Sequence, residues 1–182
     1  AFVVSVSGAE KILKWEPLPN LPDPIGVAGP FVGVHNDALI VAGGANFPVP
    51  EGGDLWTVSK VYHDRAWVAL RKGKSYEWIS GFKLKKPVAY GMCISTDRGV
   101  VCLGGNTGKI TYSDNFRLEW DTEKKTLKQV SLPALPSPCT GGAAALIGDV
   151  IYVAGGQSGA SLETAGKNFW RMDLASMELK WH

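Results

Sequence analysis

Residues 26–46 read GVAGPFVGVHNDALIVAGGAN, and the fold follows from how this stretch is parsed. Two short apolar runs, Phe31–Val34 and Ala38–Ala42, flank the polar turn His35-Asn36-Asp37, and the doublet Gly43-Gly44 ends the second run. Apolar runs of this length between turn residues suit buried strands rather than helices. Adjacent glycines admit backbone angles and a closeness of approach that a Cβ forbids. The stretch therefore predicts a β-hairpin with an unusual backbone at its exit.

The unit returns twice, in Ala89–Asn106 (AYGMCISTDRGVVCLGGN) and Gly141–Gln157 (GGAAALIGDVIYVAGGQ), with doublets at Gly104-Gly105 and Gly155-Gly156. The doublets stand roughly 50 to 60 residues apart, the period of kelch repeats. The first spacing is wider because of a Pro/Gly-rich loop, Ala45–Lys60. Long loops on a rigid scaffold often shape a binding mouth. A third strand is predicted after each doublet, at Tyr62–Val68, Tyr112–Leu118 and Asn168–Met172, and a fourth at Tyr76–Ile79, Leu127–Val130 and Glu178–Trp181. Trp15, Trp78 and Trp181 recur with the repeat, which marks them as packing residues between blades.

Four strands per repeat with a glycine doublet predict an all-β, kelch-type β-propeller of about three four-stranded blades. The expected divisions are residues 1–14 for an outer strand and leader remnant, 15–77 and 78–128 for two blades, and 129–182 for a third blade and the start of the next. One blade cannot cover both of its own faces, so an isolated arc would expose apolar surface. Closed propellers use about four to eight blades. The chain is thus expected to supply half of a six-bladed ring, completed by remaining blades of the same protein or by a second copy.

Composition narrows the function. The 182 residues carry a net charge of +2 with scattered lysines, so no basic face for nucleic acid is expected. No stretch approaches the ~20 apolar residues of a membrane span. Ala1–Val6 (AFVVSV) followed by Ser7-Gly8-Ala9 is similar to the tail of a secretory signal peptide, which predicts an exported, periplasmic protein. Three cysteines cannot form a complete disulfide set. Cys93 and Cys102 flank the turn Thr96–Gly99 symmetrically, but directly opposed strand residues suit disulfide geometry poorly, so both are read as small buried hydrophobes. His35, His63 and His182 are isolated and no metal-ligand spacing occurs, so neither metal nor cofactor is expected.

The run from Gly26 to Phe47 resembles the late-blade segment of N-acetylneuraminate epimerases, the sialic-acid mutarotases. The start Ala89-Tyr90-Gly91 is similar to the blade that follows it there, and the third copy resembles an early blade, an order that points to the cyclically permuted branch. The resemblance implies a six-bladed kelch ring that interconverts sugar anomers in the periplasm. It also implies a catalytic Glu after a doublet glycine and an Arg several residues later. Ala45, Asn106 and Gln157 follow the doublets here, and no Gly-Glu dipeptide occurs. No catalytic residue is therefore assigned, and the catalytic blade is expected beyond His182.

Five residues are candidates for touching an acidic sugar. Asn106 and Gln157 are neutral amides at equivalent positions, suited to hydroxyls and an N-acetyl group, or to loop backbone. Asn46 begins the long loop. Tyr90 precedes an inner strand and either aims its hydroxyl at the channel or packs its ring. Arg65 is the strongest cation, although Asp64-Arg65 aligns with Asp114-Asn115, which also reads as a recurring turn feature. Two other readings stand beside the mutarotase. One is a non-catalytic kelch module that binds protein or carbohydrate. The other, a copper-radical kelch oxidase, is disfavoured because no paired Tyr/His metal constellation is present.

Overall fold

A computed structural model describes residues 16–182. The leader remnant, the outer strand read into Ala1–Leu13, and Trp15 lie outside the described residues. Within them the chain is all-β, with strands interrupted only by two 3-10 turns, Leu55–Thr57 and Leu162–Thr164.

Each repeat folds into one antiparallel sheet of a β-propeller blade. In the first, β1 (Phe31–His35), β2 (Ala38–Ala42), β5 (Arg65–Lys72) and β6 (Ser75–Lys83) stand in that order. A ribbon of β3 (Ala45–Asn46) and β4 (Val61–Tyr62) rises from the doublet. The second blade runs β7 (Met92–Thr96), β8 (Gly99–Leu103), β9 (Asn115–Asp121) and β10 (Thr126–Leu132). The third holds β11 (Ala143–Ile147), β12 (Val150–Ala154) and β13 (Phe169–Asp173).

Some strand limits differ from the sequence reading. The predicted third strands begin late, because Tyr62 pairs with Ala45 in the ribbon and His63 turns back to donate its N–H to Gly44. The fourth strand expected at Glu178–Trp181 is reduced to a bridge between Met172 and Trp181. The divisions at 77/78 and 128/129 fall inside β6 and β10, the outermost strands of their sheets.

Strand alternation explains why blades stack. Every residue of β8 is buried. Val100 and Cys102 face the first blade and, with Phe116 and Trp120 of their own blade, share a core with Phe31, Ile40 and Val68. Val101 and Leu103 face the third, where they meet Ile151, Val153 and Met172. The first hairpin turns through Asn36 and Asp37, both at positive φ (49° and 57°), the twist-matched two-residue form. Innermost β1 has no strand on its free side, so β7 satisfies it with side chains. Val34 N–H donates to Ser95 Oγ at 2.8 Å, and Cys93 Sγ bonds both Val32 N and Val32 O. Cys93 and Cys102 are directly opposed in register, and both thiols are free.

The doublets join one blade to the next. Gly44 N–H donates to Val88 O and Gly105 N–H to Cys139 O, each at 2.8 Å, so both acceptors lie in the segment leading into the following blade. This contact leaves no room for a side chain. A Cβ on Gly43 would stand 2.3 Å from Val88 O, and one on Gly104 2.1 Å from Cys139 O. Gly155 has the same left-handed backbone, with φ of 66°, but nothing lies within 4 Å of its Cβ position.

This contrast predicts unequal costs for the same substitution. Gly155→Ala meets only the left-handed backbone penalty of about 1–2 kcal/mol. Gly43→Ala adds a clash with a hydrogen-bonded carbonyl and is expected to cost at least about 2 kcal/mol more. Urea unfolding of the two variants measures the difference, and equal losses would contradict the account.

Candidate functional site

The chain places its chemistry at the end of the blades where the doublets lie. There Ala45, Asn106 and Gln157 occupy equivalent positions, each paired through the backbone with Ala28, Ala89 or Thr140 of its own blade's lead-in. The next residues of those lead-ins, Gly29, Tyr90 and Gly141, share one left-handed conformation, with φ of 61°, 60° and 64°. They are linked in series: Tyr90 N–H donates to Gly29 O at 2.8 Å, and Gly141 N–H to Tyr90 O at 2.9 Å. The result is a backbone rim along the inner edge of the arc.

Three of the five sequence candidates have their polar atoms committed inside the fold. Asn46 donates to Gly26 O and its Oδ1 meets His63 Nε2, both at 2.8 Å. Asn106 donates to Thr140 Oγ1 and accepts from Gly108 N–H. Thr140 Oγ1 donates in turn to Tyr90 O, so Asn106 holds the rim in place. Arg65 Nη1 stands 2.6 Å from Asp23 Oδ2, whose side chain is fully buried. That contact is ionic, without the angles of a hydrogen bond. The other Asp23 oxygen accepts from the N–H groups of Ile25 and Gly26. Arg65 also lies 5.7 Å from the Trp67 ring centre. Tyr90 is part of the rim, with its hydroxyl accepting from Lys60, and Gln157 pairs through the backbone with Thr140 beside it.

His63, isolated in sequence, is drawn into this network. Its Nε2–H donates to Asn46 Oδ1, leaving Nδ1 to accept from Arg65 Nη2 at 3.1 Å. Burial pushes its pKa below the ordinary imidazole value, and the neighbouring Arg65 charge pushes the same way. Strand pairing across the long loop brings these groups together, which spacing alone does not disclose.

The side chains that stay available cluster on Tyr90. Lys60 Nζ donates to Tyr90 Oη at 3.1 Å, and Tyr62 meets the Tyr90 ring edge-on with centroids 6.3 Å apart. The hydrogen bond to Tyr90 holds Lys60 above the usual lysine pKa. Burial raises the Tyr62 phenol in the same direction. Both therefore keep their protons at neutral pH and can donate hydrogen bonds.

The opposite end holds a cavity of about 750 Å³, walled by hairpin turns that include Asn36, Asp97, Arg98 and Asp149. Its obvious donors are already used: Arg98 bonds Leu174 O, and Asn36 bonds Trp120 O. Among the described residues, no group of three or more His, Cys, Asp or Glu is placed to hold a metal ion. The doublet end is the better candidate because an ammonium and phenols converge there without a carboxylate partner among the described residues.

No family model matches the sequence. The chain is 30% identical over 127 residues to the N-acetylneuraminate epimerase of Yersinia pestis (strain Pestoides F), covering 62% of this chain and 31% of that protein. Identity is 32% over 131 residues to the epimerase of Haemophilus influenzae (strain 86-028NP), covering 65% and 34% respectively. It is 33% over 125 residues to that of Escherichia coli O9:H4 (strain HS), covering 64% and 33%. The chain thus spans about a third of the length of the curated relatives it matches. The solved structure of YjhT superposes with a TM-score of 0.62 at 16% identity, over 92% of this chain and 48% of that one, which establishes a shared fold.

The His63 environment sets a pH dependence. The ring is less basic when folded, so the unfolded chain takes up the proton first as pH falls. Stability is then full above the unfolded histidine value, ~6.5, and declines as pH drops through it toward the lower folded value. Between about pH 7.5 and about pH 5.5, the urea midpoint of the native chain should fall further than that of His63→Gln. A parallel fall in both would remove His63 as the cause.

Proposed function

We propose that the chain belongs to the N-acetylneuraminate epimerase family and is part of a mutarotase that interconverts the α and β anomers of N-acetylneuraminate or a related sialic acid. The sequence identity to proteins of that name carries this reading, because a propeller by itself decides no function. An exported, periplasmic setting goes with it, supported by the apolar run and small residues at the start of the sequence.

Mutarotation needs little machinery. A base takes the proton from the anomeric hydroxyl, the bond from that carbon to the ring oxygen breaks, and the ring oxygen is protonated. Reclosure on the other face of the carbonyl reverses these transfers. A carboxylate suits the base role, and none follows a doublet here, where Ala45, Asn106 and Gln157 stand. In this reading the base comes from a further blade of a six-bladed kelch ring, and the present arc supplies part of the sugar-binding rim. The third doublet supports a further blade, since Gly155 repeats the backbone of Gly43 and Gly104 and has open space where they meet a lead-in carbonyl. The missing carboxylate favours one second reading, a propeller that binds a sugar without transforming it.

Anomer exchange followed by NMR from α-N-acetylneuraminate separates the two. The 182-residue chain alone should leave the exchange at the buffer rate, and the chain joined to its remaining blades should accelerate it. A complete ring that binds the sugar without acceleration would establish the binding module. Acceleration by the chain alone would place the base within it.

A further inference from the structure

We infer that Lys60 and Tyr90, backed by Tyr62, form the clamp for the carboxylate of the acidic sugar. The inference rests on the sialic-acid reading above and adds the residues that would recognise the acid.

Backbone conformation is the first argument. The rim position is occupied by Gly29 in the first blade, Tyr90 in the second and Gly141 in the third, all near φ of 60°. Glycine adopts this conformation freely, whereas a bulky residue is rarely found there. The rim hydrogen bonds demand the conformation whatever the side chain, so placing tyrosine there carries a strain that glycine avoids. Strain of this kind collects where a side chain has a task. The neighbouring blade also leaves room for the ring, because a Cβ on Gly29 would stand 2.4 Å from Tyr90 Cδ1.

Charge is the second argument. Lys72, Lys83, Lys86 and Lys124 pair with a carboxylate, while Lys60 is among the described lysines that do not, so its place beside Tyr90 rather than its lack of a partner sets it apart. Lys86 makes the useful comparison, because it also lies over an aromatic ring, that of Tyr112, and its charge is answered by Asp114. Lys60 lies 4.9 Å from the Tyr90 ring centre and 5.2 Å from that of Phe47, and it pairs with no carboxylate among the described residues. One of its three N–H bonds goes to Tyr90 Oη, which leaves two to donate. Accepting that bond frees the Tyr90 hydroxyl proton to donate as well. Two adjacent donors, one of them charged, match the two oxygens of a carboxylate, and charge-assisted bonds of this kind are the strong ones. The rings attract the ammonium through their π-faces without neutralising it.

Calorimetric titration of the chain with N-acetylneuraminate and with its methyl ester, which removes the negative charge, tests the clamp. Lys60→Met should weaken binding of the acid by about tenfold or more, and Tyr90→Phe by about threefold to tenfold, with the ester unaffected by either. Tyr90→Gly restores the residue of the other two blades and should fold with unimpaired backbone, yet lose the preference for acid over ester. Acid binding unchanged in Lys60→Met and Tyr90→Phe, with the native preference for acid retained, would overturn the clamp and leave the sialic-acid reading intact. A native chain that binds neither acid nor ester would overturn both. Equal loss of acid and ester in every variant would assign these residues a packing role only.

Discussion

The structure depends on a single repeated hydrogen bond, from the second glycine of the first and second doublets to the carbonyl that leads into the next blade. Gly44 to Val88 and Gly105 to Cys139 are the two instances. Each is made possible by a left-handed glycine next to it, whose missing Cβ lets the carbonyl approach to hydrogen-bonding distance. Face-to-face burial supplies the larger driving force, but it is non-directional and would tolerate sliding. The doublet bond fixes how far one blade turns relative to the next. It thereby aligns the lead-in segments, and the rim of Gly29, Tyr90 and Gly141 follows from that alignment.

Much of this was legible in the sequence because the constraint itself is a sequence feature. A glycine whose missing Cβ would stand 2.3 Å from a carbonyl leaves a mark in the sequence, and so does the alternation of β8, whose two faces feed two separate cores. Hairpin ends were equally clear, since Asn36-Asp37 and the opposed Cys93 and Cys102 obey local rules. Strand starts after the long loop were less so. Tyr62 has the pattern of a blade strand, and only the ribbon pairing with Ala45 takes it away from the sheet.

The site was only partly legible, for a physical reason. Asn46, Arg65 and Asn106 are residue types that suit a sugar, and they suit buried loop backbone equally well. Which use prevails depends on partners distant in sequence, such as Asp23 for Arg65 and Thr140 for Asn106. Lys60 carries no signal in the sequence and His63 reads there as isolated, because Tyr90 lies in the next blade's lead-in and Asn46 lies across the loop. One signal was available for Tyr90: alignment of the repeats sets it against two glycines, so its backbone conformation could be inferred before any coordinates.

The likeness to N-acetylneuraminate epimerases and the third doublet, which meets no lead-in carbonyl among the described residues, make one account, in which this arc is part of the proposed propeller site. Amide hydrogen exchange at the doublets tests its central claim most directly. In this chain the N–H groups of Gly44 and Gly105 should be strongly protected, and that of Gly156, which meets no backbone carbonyl among the described residues, should exchange rapidly and become protected only when a further blade is joined. Equal protection of all three in the chain alone, or continued rapid exchange of Gly156 after the ring is completed, would contradict it.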